Sequence, residues 1–209
     1  MRALTATLLL TAVLGCSATG RTPTAGAPPP VGMGCEGPAY PAPATSQYIL
    51  PYAPGLRFPT GLTNCSSSFH GAGEGDQYAY DFNMPVGTPF IAMRAGRVAK
   101  VVNDQPDEGE DGGAGNFLVI DHEDGTFGLY YHSPKGGIAV AVGAEVEQGA
   151  PLGVTGRSGY AGYPHLHVIV VEGHHEWPYL GVPISFRNAN PRDLHLRSEY
   201  APGYLADPR

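Results

Sequence analysis

The stretch that most constrains this chain is GRSGYAGYPHLHVIVV, residues 156–171. A glycine-rich loop passes through Pro164 into His165-Leu166-His167 and then into a β-branched run that favours a strand. Side chains on a strand alternate faces, so His165 and His167 point the same way and Leu166 points opposite. Two imidazoles so spaced can reach one ion together, or one can ligate while the other acts on what the ion holds. A plain pair of strand-surface histidines has the same pattern, and HxH alone does not separate the readings.

Thirty glycines and twenty-one prolines, with few long helical repeats, favour a β-rich, turn-rich fold. A length of 209 residues suits one domain with appendages. The formal net charge is −7 and the only lysines are Lys100 and Lys135, which argues against a nucleic-acid or anionic-membrane partner reached through basic patches. Nothing in the pattern signals an oligomer, so a monomer is the default.

The N-terminus reads as a targeting segment. Met1-Arg2 gives a positive start, and residues 3–14 form an apolar run too short to span a bilayer. The run ends in Val13-Leu14-Gly15-Cys16, which resembles a bacterial lipobox. Residues 1–15 are therefore expected to be a signal peptide, with Cys16 lipidated after cleavage; a plain secretory signal is the alternative. The protein is then exported and membrane-anchored at the cell envelope. If Cys16 is lipidated, Cys35 and Cys65 remain as an even pair in an oxidising compartment, and a disulfide between them is expected. Residues 16–45, rich in Pro, Ala, Gly and Thr, read as an extended tether. A domain is expected over 46–188, with 189–209 as a tail.

Within the domain, Tyr78-Ala79-Tyr80-Asp81-Phe82 alternates like a strand, placing Asp81 on the face of Ala79 in an apolar setting. A carboxylate there is costly unless compensated, by backbone donors or by a metal. His70 lies upstream across a glycine-rich turn, 71–75, that could fold it back beside Asp81. Residues 87–92 and 96–102 read as two strands around a turn. The acidic loop 103–115 lacks calcium-loop spacing and reads as a solvated insertion. Residues 116–121 and 127–132 read as a hairpin around Asp124-Gly125, which puts His132 at a strand end. His122 is expected to face solvent, and His174 and His175 to be exposed. Short strands are expected over 142–154, and 183–186 could close the sheet.

Taken together, His70, Asp81 and His167 make a two-nitrogen, one-oxygen set, the pattern of a catalytic zinc site with one position left for water. Zinc lowers the pKa of such a water towards about 7 and polarises a carbonyl. His132 and His165 could orient or deprotonate the water and stabilise a tetrahedral intermediate.

This order of residues resembles the lysostaphin-like, LytM-type zinc endopeptidases of bacterial cell walls. The resemblance is carried by His70, Tyr80-Asp81-Phe82, Gly87-Thr88-Pro89, Gly115-Asn116, Tyr131-His132, Val146-Glu147-Gln148-Gly149, Gly153-Val154-Thr155-Gly156, Ser158-Gly159 and Pro164-His165-Leu166-His167. It implies an all-β, mainly antiparallel, two-layered fold with a groove. It also implies one Zn2+ on His70, Asp81 and His167, with His132 and His165 catalytic and peptidoglycan peptides as substrate. One departure is plain: the family commonly sets its first histidine four residues before the aspartate, whereas His70 precedes Asp81 by eleven. The alternative is a non-catalytic LytM-like module that binds wall or activates an amidase, although such modules usually lose some of these five residues. A lipoyl-like carrier needs a lysine displayed at a hairpin tip, and neither lysine here has that context.

Overall fold

The computed structural model describes residues 40–63, 66, 68–107, 113–189 and 204–205. Cys16, Cys35 and Cys65 lie outside them, so the expected lipidation and disulfide do too. The centre of the acidic loop and most of the C-terminal tail also lie outside.

Eleven strands are described: β1 (Arg57–Phe58), β2 (Tyr80–Phe82), β3 (Pro89–Ile91), β4 (Gly96–Val102), β5 (Asn116–Asp121), β6 (Thr126–Ser133), β7 (Glu145–Val146), β8 (Pro151–Val154), β9 (Leu166–Glu172), β10 (Leu180–Gly181) and β11 (Tyr204–Leu205). Helical structure among the described residues is confined to 3-10 turns at Pro43–Thr45 and Ser68–His70. The fold is all-β with every strand pair antiparallel, in agreement with the expectation from sequence. The main sheet runs β10-β9-β6-β5-β4-β7, with β2 also paired to β9; β3-β8 and β1-β11 form small ribbons.

Strand β9 is buried from Leu166 to Val171 because both of its faces are covered. On one face Tyr80, Phe82, Leu118, Ile120, Tyr130, Leu166, Val168 and Val170 join the main core, which Tyr48, Leu50, Tyr52 and Phe186 complete. On the other, Ala79, Val119, Leu129, Ile169 and Val171 make a smaller cluster. Asp81 and His167 share the parity of this second face, so the side chains that carry chemistry stand apart from the main core.

Several local expectations are corrected. Residues 87–92 and 96–102 do form strands, but not with each other: β3 pairs with β8, and β4 with β5 and β7. Residues 183–186 form no strand. Pro183 has no N–H to give a ladder, and only Phe186 bridges, to Tyr48; β10 supplies the outer pairing to β9 instead. Residues 40–45 are described against the domain, where the Ser185 hydroxyl donates to the Pro41 carbonyl at 2.8 Å. His122 is buried, not solvent-facing, since its Nδ1 finds the Ala95 carbonyl at 2.8 Å. His174 is exposed as expected, while His175 is half-buried against the Phe127 ring.

Candidate functional site

The antiparallel register sets Asp81 directly opposite His167 and Tyr131 directly opposite His167 on its other side. Cross-strand partners on one face come within side-chain reach, and His167 Nδ1 lies 2.9 Å from Asp81 Oδ1. The 3-10 turn Ser68–His70 returns His70 to the same carboxylate, with Nε2 at 3.5 Å from Asp81 Oδ1. The glycine-rich insertion after it is tied down by Gln77, the residue four before Asp81, whose Oε1 accepts from the Gly73 N–H at 2.7 Å. The long spacing therefore still delivers a histidine to Asp81, from a different point of the chain.

His165 precedes β9 and its Nε2 lies 3.6 Å from Asp81 Oδ1, while its Nδ1 is held by the Tyr163 carbonyl at 2.8 Å. His132 arrives by a bulge. Asn116 faces Ser133 and Phe117 faces Tyr131, leaving His132 as an extra residue on β6. Strict alternation would send it to the face opposite Tyr131. Its φ of +72° turns it instead towards the site, 4.6 Å from the His165 ring and 5.9 Å from the His167 ring. A left-handed backbone on a non-glycine residue costs about 1–2 kcal/mol. The Ser158 carbonyl, 2.8 Å from His132 Nδ1, helps hold it there.

All five residues are buried, and their ligand atoms form two overlapping groups, His70 with Asp81 and His167, and His132 with His165 and His167. The first group is the two-nitrogen, one-oxygen set expected from the sequence, and imidazole nitrogens with a carboxylate oxygen are donors that zinc accepts. His132 and His165 each have Nδ1 committed to a backbone carbonyl, which leaves Nε2 for other work.

The electrostatics follow from this crowding. Burial opposes ionisation of Asp81, but His165, His70 and His167 together hold its carboxyl well below the usual range. Burial also opposes a charge on His167, yet the carboxylates of Asp76 and Asp81 push it up to about 10. Burial, reinforced by His165 and His167, drives His132 down to about 3, and burial lowers His70.

The site opens into a groove of about 400 Å³, with Phe69, Tyr160, Tyr163 and Trp177 exposed along it. Phe69 and Tyr160 meet across it, ring centroids 5.3 Å apart. Sequence reasoning missed Asp76, Tyr163 and Tyr179 and gave Ser158 no role. Asp76 directly follows the 71–75 turn, which was the available signal.

Residues 75–178 match the model of peptidase family M23, a span that contains Asp81, His132, His165 and His167 but begins after His70. The peptidoglycan DD-endopeptidase ShyA of Vibrio cholerae is 35% identical over 94 residues, 44% of this chain and 20% of that protein. The glycyl-glycine endopeptidase ALE-1 of Staphylococcus capitis is 34% identical over 98 residues, 46% of this chain and 25% of that one. The chain thus covers about a fifth to a quarter of these curated relatives' length. Among solved structures, the catalytic domain of the prophage-encoded M23 protein EnpA from Enterococcus faecalis matches with a TM-score of 0.48 at 24% identity, covering 63% of this chain and 94% of that one.

Proposed function

We propose, from the premise that this chain carries a domain of peptidase family M23, that it is a zinc-dependent endopeptidase acting on peptide bonds of peptidoglycan. The observation that carries the reading is the division of labour among the buried residues. His70, Asp81 and His167 supply a donor set, while His132 and His165 stand beside it with Nδ1 anchored to backbone carbonyls and Nε2 uncommitted to the backbone.

Zinc on that set supplies Lewis-acid polarisation of a carbonyl and a lowered pKa for water. The chain's own residues do the rest. Asp81 stays ionised among three imidazoles and so remains a ligand. His132 and His165, 4.6 Å apart, are placed to take a proton from the attacking water and pass it to the leaving amine at their Nε2 atoms. The aromatic groove side chains exclude water and hold an extended peptide against the site.

Relatives named as a peptidoglycan endopeptidase and a glycyl-glycine endopeptidase support a wall peptide as substrate. The lipobox-like Val13-Leu14-Gly15-Cys16 supports export with lipid attachment at Cys16, and Cys35 and Cys65 are proposed to pair in that oxidising setting.

The test uses the full-length chain, with zinc content and release of peptides from purified peptidoglycan measured together. The wild type is expected to hold about one zinc and to cleave. His132→Ala and His165→Ala are expected to keep the metal and lose about 10²–10⁴-fold in rate. A zinc-loaded wild type that releases no peptide from any wall preparation would point to the wall-binding or amidase-activating alternative.

A further inference from the structure

The groove holds one carboxylate to which the proposed chemistry gives no task. Asp76 ends the glycine-rich turn, just before the strand that carries Asp81. Its Oδ1 accepts the Tyr179 hydroxyl at 2.6 Å and lies 3.7 Å from His167 Nε2. His167 therefore has a carboxylate at each ring nitrogen: Asp81 at Nδ1 and Asp76 at Nε2.

That arrangement matters because a neutral imidazole has one N–H and one lone pair. Whichever nitrogen carries the proton cannot ligate. Nδ1 faces the donor set with Asp81 and His70, so the useful tautomer carries its proton on Nε2. With Asp81 and Nδ1 both turned to the metal, the acceptor left for the ring proton is Asp76 on the Nε2 side, which also fixes the ring's orientation. A separation of 3.7 Å is long for a direct hydrogen bond, but a small carboxylate rotation closes it.

Asp76 is itself held firmly. Its backbone carbonyl accepts from the Ala79 N–H at 2.8 Å, closing the turn that leads into β2. The Tyr131 ring, across the groove wall from Tyr179, stands edge-on to His167 at 5.4 Å. Trp177 packs over Gly75, occupying the space that a Cβ there would need, and so pins the residue beside Asp76. The insertion that delivers His70 at its start thus delivers a second group at its end.

We propose that Asp76 is a positioning residue for His167, holding the proton on Nε2 so that Nδ1 is available to the metal. The inference rests on the zinc reading above and extends it by one residue. Asp76 itself contacts neither metal nor substrate in this role.

The test compares full-length wild type, Asp76→Asn and Asp76→Ala by zinc competition against a chromophoric chelator, with thermal melts of the metal-free proteins alongside. Loss of such a partner weakens metal affinity by about 10–100-fold, so Asp76→Ala is expected in that range and Asp76→Asn between it and wild type. Nitrogen NMR of the zinc-loaded wild type is expected to show the His167 proton on Nε2, slow to exchange, and faster exchange in the variants. If Asp76→Ala fails to fold, Asp76→Asn, which is nearly isosteric and still accepts from Tyr179, decides the matter. Folded variants that bind zinc within twofold of wild type overturn the inference. A wild type that binds no zinc overturns instead the function on which it rests.

Discussion

Asp81 and His167 are cross-strand partners in the β2–β9 pair, and their side chains meet at 2.9 Å on the face turned away from the main core. Because the backbone ladder fixes this meeting, the pair is in place before any ion arrives. Replacing Asp81 by Asn keeps the size but removes the anionic oxygen that a zinc site of this kind uses. The expected outcome is a fall from about one zinc per chain to less than a tenth, read by metal analysis after dialysis. Full retention of zinc by Asp81→Asn would exclude this carboxylate as a ligand.

His132 is held at φ +72° by the bulge in β6. Glycine adopts that conformation freely, whereas alanine pays for its Cβ. His132→Gly is therefore expected to be more stable than His132→Ala by about 1 kcal/mol, the reverse of the order inside an ordinary strand. Both variants should lose hydrolysis. Urea unfolding of the two proteins checks the difference, and an alanine variant as stable as the glycine one counts against the bulge.

The Ser158 carbonyl that holds His132 is also the nearest atom to a Cβ placed on Gly115, at 2.5 Å, and Gly115 itself has φ +69°. The same junction carries the bond from the Asn116 N–H to Ser158 Oγ at 2.8 Å. Gly115→Ala must move the Ser158 loop. It is expected to cost about 2 kcal/mol in stability and to lower activity through a displaced His132, while zinc content stays unchanged. Measuring all three together separates this effect from loss of the metal.

Much of this was legible in the sequence because it depends on period-two alternation. Tyr80, Asp81 and Phe82 announce which face each takes, and His165-Leu166-His167 does the same. The Asp124-Gly125 hairpin is equally local. What escaped depends on distant partners. His122 reads as polar and exposed until Ala95, just before β4, supplies a carbonyl. Pro183 to Phe186 reads as a strand until Leu180 and Gly181 take the edge of β9. Asp76 gains meaning only through His167 and Tyr179, which lie 91 and 103 positions away. His132 could be placed at a strand end, but strict alternation gives no hint of the bulge that turns it to the site.

His122 also offers a test of acid stability away from the metal set. It is buried, its Nε2 has no partner among the described residues, and burial holds its pKa below the ordinary histidine value of 6.5, with Arg94 adding to that while Ala95, Asp124 and Asp121 oppose it. As pH falls below 6.5 the unfolded chain takes up a proton at this histidine that the folded chain does not. Stability present above that pH is therefore lost on acidification, with a slope of at most about 1.4 kcal/mol per pH unit from one group. His122→Gln keeps a donor for the Ala95 carbonyl but cannot titrate. With chelator present to remove metal linkage, urea unfolding between pH 7.5 and 5 should show a shallower loss in His122→Gln than in wild type. His70 and His132 contribute to both proteins and cancel in the comparison, so equal slopes would mean that His122 takes up its proton in the folded state as readily as in the unfolded one.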